Sequence, residues 1–263
     1  MTTADANGPL RVVREGSVVV WRLDRPHTRN ALDWTSFAAL EGAIAQAAAD
    51  PSLRAVVLTG EGSTFASGGD LHEFRAVSTP EQAGQLADAG RSVCQGIARL
   101  RVPVIAAIGG PAVGGGVELA LACDVRIADP KATLCLRQSR LAVTTAWGVL
   151  PKLVATVGHG TASRLLLTGQ KVDAFEALRL GLVDFVAERD ACVATAFAWA
   201  EDIAQGAPAA IAELKGLLRE SLTARAGVDV RERESFVRTW TSSDHREAVE
   251  AFFARRTPSW TGK

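Results

Sequence analysis

The chain carries no surplus of either charge: Lys plus Arg total 29 and Asp plus Glu total 29 over 263 residues. Nucleic-acid binders draw affinity from neutralising phosphates and show a basic excess, so this balance argues against a nucleic-acid partner. No window approaches the roughly 18 uninterrupted apolar residues of a membrane helix. The opening stretch MTTADANGPLRVV is polar and lacks the apolar centre of a secretory signal. The four cysteines (Cys94, Cys123, Cys135, Cys192) form no C-x-x-C pair, and His27, His72, His159 and His245 stand at no metal-ligand spacing from them. These absences set the expectation of a cytoplasmic protein with reduced, mostly buried thiols, no metal and no membrane. Fixed-period repeats, low-complexity tracts and Pro/Gly/Ser-rich linkers are missing as well. So are G-x-x-x-x-G-K-[ST], G-x-S-x-G and a correctly placed G-x-G-x-x-G.

What remains is an ordinary globular composition, 48% hydrophobic and 22% charged. The first half alternates β-branched runs with helical runs. SVVVWRL (17–23), RAVVLTG (54–60), VPVIAAI (102–108) and CDVRIAD (123–129) have the character of strands. ALDWTSFAALEGAIAQAAAD (31–50) has the period of a helix, with Phe37, Leu40, Ile44 and Ala48 on one face and Pro51 beyond its end. Alternation of this kind predicts an α/β fold. From Asp190 to Arg256 the pattern is helical, with breaks near Gly206 and Gly227. Val193, Phe197 and Ala200 share one stripe, and Leu214, Leu217 and Leu218 another. A core over residues 1–200 and a helical tail over 201–263 are expected, with the tail packed rather than free.

Two glycine-rich turns carry the chemistry. FASGGD (65–70) follows the second strand, and GGPAVGGGVELALACD (109–124) follows the third and opens a helix. Glycine permits sharp turns and close approach of a ligand to the main chain. Helix N-termini leave unpaired N–H donors and a partial positive charge. Two such turns facing each other would aim two N–H groups at one oxygen, as an oxyanion hole requires. A glycine turn taken alone is more often only a tight turn.

The pair FASGGD and PVIAAIGGPAVGGGVELALACD resembles the crotonase superfamily, the enoyl-CoA hydratase/isomerase family. LDRPHTRNAL (23–32), LLLTGQKVDAFEALRLGLVDFV (165–186) and FVRTWTSSDHREAVEAFFARR (236–256) extend the likeness over nearly the whole chain. The resemblance implies a crotonase-like spiral of ββα units with a C-terminal helical trimerisation subdomain, assembled as a homotrimer or a dimer of trimers. It implies an acyl-CoA thioester as substrate, with coenzyme A belonging to that substrate and no separate cofactor. By position it implies Gly69 and Gly115 as oxyanion donors and Glu118 as the catalytic carboxylate. Ala66, Asp70 and Leu71 would lie along the adenine, Arg25 and Arg29 near coenzyme A phosphates, and Phe236 and Arg255 at the nucleotide end. Asp124 is taken as structural.

The sequence departs from the family at two places. Hydratases of the family use a second carboxylate twenty residues beyond the first, where this chain has Gln138. An amide can hold a water but cannot exchange a proton near neutral pH. Further on, Trp147-Gly148 resembles the family's malonyl-type CoA decarboxylases, whose enolate forms by loss of carbon dioxide and needs no base. Three readings follow: a hydratase-like lyase using Glu118 alone, a decarboxylase of ethylmalonyl- or methylmalonyl-CoA with Trp147 lining the pocket, and a coenzyme A-ester-binding protein without turnover. Trp147 as plain core packing stands beside the second.

Overall fold

The computed structural model describes residues 8–222 and 228–259. Its central sheet has six strands: β1 (Leu10–Glu15), β2 (Val18–Leu23), β3 (Ala55–Gly60), β4 (Val104–Ile108), β6 (Val125–Ala128) and β9 (Phe185–Val186), hydrogen-bonded in that order. β1 and β2 form an antiparallel hairpin, and every later pairing is parallel. A second sheet joins β5 (Ala112–Val113), β7 (Thr133–Cys135) and β8 (Lys171–Asp173). The parallel strands read as near-continuous apolar runs because both faces are covered. Val56, Leu58, Val104 and Ala106 turn toward one core with α1 (Trp34–Ala49) and α3 (Pro80–Arg99). Val57, Ile105, Ala107 and Ile127 turn to the opposite core, closed by Cys192, Ala196 and Ala200 of α8 (Cys192–Ala204).

The predicted strands all form, shortened by one to three residues. The first helix also forms, with Asp33 capping it through a 2.7 Å bond from the Ser36 amide. Its buried face, however, is Ser36, Phe37, Leu40, Ala43 and Ala47; Ile44 is half-buried and Ala48 exposed. Ile44 lies instead against α3, where a Cβ on Gly96 would come within 3.1 Å of it. Thr79 and Gln82 form a reciprocal capping box at the start of α3, with Pro80 in its first turn. The four cysteines form no disulfide and are all buried. Burial pushes the Cys123 thiol up to about 12 and that of Cys192 to about 11, so neither offers a thiolate near neutral pH.

The tail continues with α9 (Pro208–Glu220), α10 (Val228–Trp240) and α11 (Ser243–Ala254). It packs, as expected. Arg233 forms a two-pronged ion pair with Asp88 of α3, and the Trp240 indole N–H donates to the Val77 carbonyl at 3.0 Å. The dividing line at residue 200 falls inside the unbroken α8, whose inner face belongs to the core. Leu214, Leu217 and Leu218 share one face of α9 and are 59%, 61% and 70% exposed. No helix among the described residues is long and apolar enough to cross a membrane.

Lys215 fixes α9 to the core. Its ammonium is buried and donates to the carbonyls of Ile97 and Val102, while pairing with Asp124 at 2.7 Å. Asp124 also accepts from the Val104 amide, so it is a structural joint between the end of β4's loop and the tail. Removing one partner leaves buried groups uncompensated. Lys215→Ala is expected to destabilise the protein by about 3 kcal/mol, read by urea denaturation; a loss under about 0.5 kcal/mol would contradict this role.

Candidate active site

The FASGGD turn runs between β3 and the short helix α2 (Leu71–Phe74), and the second glycine turn runs through β5 into α4 (Gly115–Ala122). Ala66 pairs with Ala112, and the Val113 amide donates to the Ala66 carbonyl at 2.9 Å, which holds the turns side by side. Their contact is so close that side chains would not fit between them. A Cβ on Gly116 would stand 2.1 Å from the Ala66 oxygen; one on Gly68, where φ is +93°, would stand 2.8 Å from the Val113 oxygen and 3.2 Å from the Gly115 nitrogen. The Gly68 backbone therefore faces the Gly115 amide directly.

Both proposed donors are left outside the local hydrogen-bond pattern. The bridge between Leu32 and Gly69 uses the Gly68 carbonyl and the Asp70 amide, not the Gly69 amide. Gly115 is the first residue of α4, where N–H groups have no intrahelical acceptor, and the turn's own bonds run through the amides of Gly114, Val117 and Glu118.

One cavity of about 100 Å³ opens at this junction. Gly69, Gly115, Glu118, Gln138, Trp147, Leu71 and Phe236 all line it. Glu118, in the first turn of α4, is 3% exposed. Its Oε1 accepts from the Gln138 amide at 2.9 Å, and its Oε2 accepts from the backbone amides of Trp147 at 3.0 Å and Ala146 at 3.4 Å. These partners are donors, which suits a carboxylate acceptor. Gln138 lies in a 3-10 turn, Gln138–Leu141, and is itself buried. Trp147 packs edge-on against Phe37, with centroids 5.6 Å apart, and reaches over two glycines: a Cβ on Gly90 or on Gly115 would meet the indole at 2.1 and 2.2 Å. Trp147 is thus both packed in the core and a wall of the cavity.

Other expected contacts fall elsewhere. Ala66 is fully buried between the turns and its carbonyl is already bonded. Asp70 is buried as the cap of α2, accepting from the amides of His72 and Glu73. Arg25 is held by the Ala31 carbonyl at 2.6 Å and by Asp33 and Asp70, each at 3.1 Å. It braces the loop beside the site. Arg29 and Arg255 are exposed, both with left-handed φ. Phe236, expected at the nucleotide end, lines the cavity beside Trp240 within the same chain.

Several lining residues escaped the sequence reading: Phe74, Leu86, Arg137, Val143 and Trp240. Leu86 comes from α3, and only the capping pattern Thr79-Pro80-x-Gln82 signalled that helix. Trp240 arrives from α10 and stacks on His245, 4.3 Å between centroids. The buried His245 ring donates from Nδ1 to the Leu141 carbonyl at 2.6 Å, joining α11 to the turn that carries Gln138. Burial lowers the His245 pKa, against the opposing pull of that carbonyl. A depressed folded-state value makes this stabilisation complete above the unfolded value, near 6.5, and lost as pH falls through the folded one. Stability is expected to drop from pH 7.5 to 5.5 more steeply in the wild type than in His245→Gln; parallel profiles in denaturant titrations would contradict this.

The chain matches the model of the family described as enoyl-CoA hydratase/isomerase over residues 13–263. It belongs to that family. Among its relatives, a short-chain-enoyl-CoA hydratase of Clostridium acetobutylicum is 33% identical over 92% of this chain and 94% of that protein. A 2,3-dehydroadipyl-CoA hydratase of Escherichia coli is 33% identical over 97% and 99%. A crystal structure of an enoyl-CoA hydratase/isomerase from Mycobacterium paratuberculosis superposes with a TM-score of 0.86 at 27% identity, covering 94% of this chain and 99% of that one. The two sheets and helical tail are therefore the crotonase fold, and an acyl-CoA thioester is the substrate class consistent with this enoyl-CoA hydratase/isomerase family member.

Proposed function

We propose that this protein is an enoyl-CoA hydratase-like lyase that uses Glu118 as its single acid/base. The supporting observation is the gathering of both glycine turns and the Glu118–Gln138 pair around one cavity. The thioester oxygen would accept from the amides of Gly69 and Gly115, which hold the negative charge that gathers there as the enolate forms. Glu118 takes a proton from water as its oxygen attacks the β-carbon. The same carboxyl then returns that proton to the α-carbon, so hydroxyl and hydrogen are added and the enzyme is restored. Gln138 holds Glu118 in place but transfers no proton.

A second reading has one observation in its favour. Trp147 lines the cavity directly over Gly115, and an apolar wall solvates a carboxylate poorly, which favours a step in which neutral carbon dioxide leaves and the negative charge passes to the thioester oxygen. Incubation with crotonyl-CoA and, separately, ethylmalonyl-CoA distinguishes the two. The hydratase reading expects 3-hydroxybutyryl-CoA from the first ester and no carbon dioxide from the second. Release of carbon dioxide without hydration would replace it with the decarboxylase, and binding of both esters without turnover with a non-catalytic role. On the hydratase reading a second carboxylate speeds the reaction, so Gln138→Glu is expected to raise crotonyl-CoA hydration at least about tenfold; no gain in a folded variant would contradict that.

We also propose a cytoplasmic homotrimer or dimer of trimers, with the exposed leucine face of α9 supporting self-association. Sedimentation at micromolar concentration tests this, and a monomer would overturn it.

A further inference from the structure

The turn that carries Gln138 is strained at its end. Gln138–Leu141 closes with Ala142 in the left-handed region, at φ 53° and ψ 35°, where the Cβ of an L-residue crowds the following carbonyl. Such a conformation persists only where the surroundings hold it. The Ala142 and Val143 amides both donate to the Gln138 carbonyl, so the strained residue is the one that closes the turn. The hold comes from the tail. Ser242 caps α11 by accepting from the His245 amide at 3.1 Å, which sets the start of that helix. The buried His245 ring leans on Trp240 and brings its Nδ1 to 2.6 Å from the Leu141 carbonyl. A carbonyl only accepts, so Nδ1 carries the proton. At the other end of the same turn, Gln138 Nε2 donates to Glu118 Oε1 at 2.9 Å.

We propose that His245 is a positioning residue for Glu118, holding the Gln138–Ala142 turn in its strained form from the tail helix. This rests on the hydratase reading above and deepens it. His245 is not among the residues that line the cavity, whereas Leu141 and Trp240, the two it touches, both do. It therefore acts through them. Without its hydrogen bond, Ala142 relaxes out of the left-handed region and the turn opens. Gln138 then moves, and the Glu118 oxygen that it holds loses its place beside the reacting carbons. Proton transfer is sensitive to such a change, since a misplacement of about 1 Å costs up to about 10²-fold in rate. The tail thus sets the geometry of the acid/base from outside the cavity.

The test pairs crotonyl-CoA kinetics with amide hydrogen exchange in His245→Asn, His245→Leu, Ala142→Gly and the double variant Ala142→Gly/His245→Leu. His245→Asn keeps an N–H donor near the place of Nδ1, and its kcat is expected within about threefold of the wild type. His245→Leu is expected to lower kcat about 10- to 100-fold with KM little changed, and to speed exchange over residues 138–143 more than in the central sheet. Glycine enters the left-handed region without strain. In the Ala142→Gly background, loss of His245 is therefore expected to cost less than about threefold in kcat. A purely structural role predicts faster exchange throughout the fold and no rescue by glycine. His245→Phe, which keeps a ring against Trp240 without the donor, replaces the Leu variant if that one does not fold. An unchanged kcat in folded protein lacking the donor overturns the proposal, and so does a loss that Ala142→Gly leaves undiminished. If the wild type hydrates no crotonyl-CoA, the hydratase reading fails by itself and exchange decides the positioning role. Local deprotection reversed by Ala142→Gly then supports it, and unchanged exchange over 138–143 overturns it.

Discussion

Glu118→Gln is expected to slow crotonyl-CoA hydration by about 10³- to 10⁴-fold, because one group then ceases to act both as base toward water and as acid toward carbon. No other carboxylate among the described residues lines the cavity, so nothing nearby inherits either step. The substitution is isosteric but not neutral. Gln138 Nε2 and the amides of Ala146 and Trp147 all donate toward this side chain, and a glutamine turns its own NH₂ on one of them. A stability loss of about 1–3 kcal/mol is expected, so rates are compared on protein shown to be folded by near-UV circular dichroism. Under the decarboxylase reading the same variant would lose little, since loss of carbon dioxide needs no base. A folded Glu118→Gln that hydrates crotonyl-CoA within about tenfold of the wild type would remove Glu118 from the mechanism.

Gly68→Ala is expected to lower turnover by about 10²- to 10³-fold with a smaller effect on folding. The added methyl would lie 3.2 Å from the Gly115 nitrogen and 2.8 Å from the Val113 oxygen. It would crowd the amide that is to meet the thioester oxygen and push the two turns apart. The backbone at Gly68 also has a φ of +93°, a region where an L-residue is strained by about 1–3 kcal/mol. The measurement is kcat and KM for crotonyl-CoA alongside a urea melt. A fall in kcat larger than the stability loss explains fits displacement of an oxyanion donor; unchanged kcat in the folded variant would show that the hole lies elsewhere. Gly116→Ala is the harsher contrast, since its methyl meets the Ala66 carbonyl at 2.1 Å and should compromise folding first.

Four strands of the central sheet and the two glycine turns were legible because each depends on local chemistry. Both-face burial writes continuous apolar runs such as AVVL and VIAAI, and close backbone approach admits only glycine at positions such as Gly68 and Gly116. Gln138 stood out because a neutral amide occupies the place of a proton-transfer group. Less visible were features set by long-range packing. The buried face of α1 carries Ala43 and Ala47 while Ile44 lies against Gly96 of α3, and no residue within α1 announces that neighbour. Arg25 was expected to reach a phosphate, yet Asp33 and Asp70, distant in sequence from each other, close on it. Phe236 and Trp240 reach the cavity only because α10 lies along α3, through the Arg233–Asp88 pair. The hold of His245 on the Leu141 carbonyl could not be read from the sequence at all, since the two stand 104 positions apart.

The account turns on two main-chain amides polarising one thioester carbonyl, and a vibrational difference spectrum reads that bond directly. Butyryl-CoA labelled with carbon-13 at the thioester carbonyl would be bound to the wild type and to Gly68→Ala. Donation from Gly69 and Gly115 predicts a carbonyl stretch shifted to lower frequency than in water, and a return toward the water value in the variant. A stretch in the wild-type complex at or above its frequency in water would contradict it.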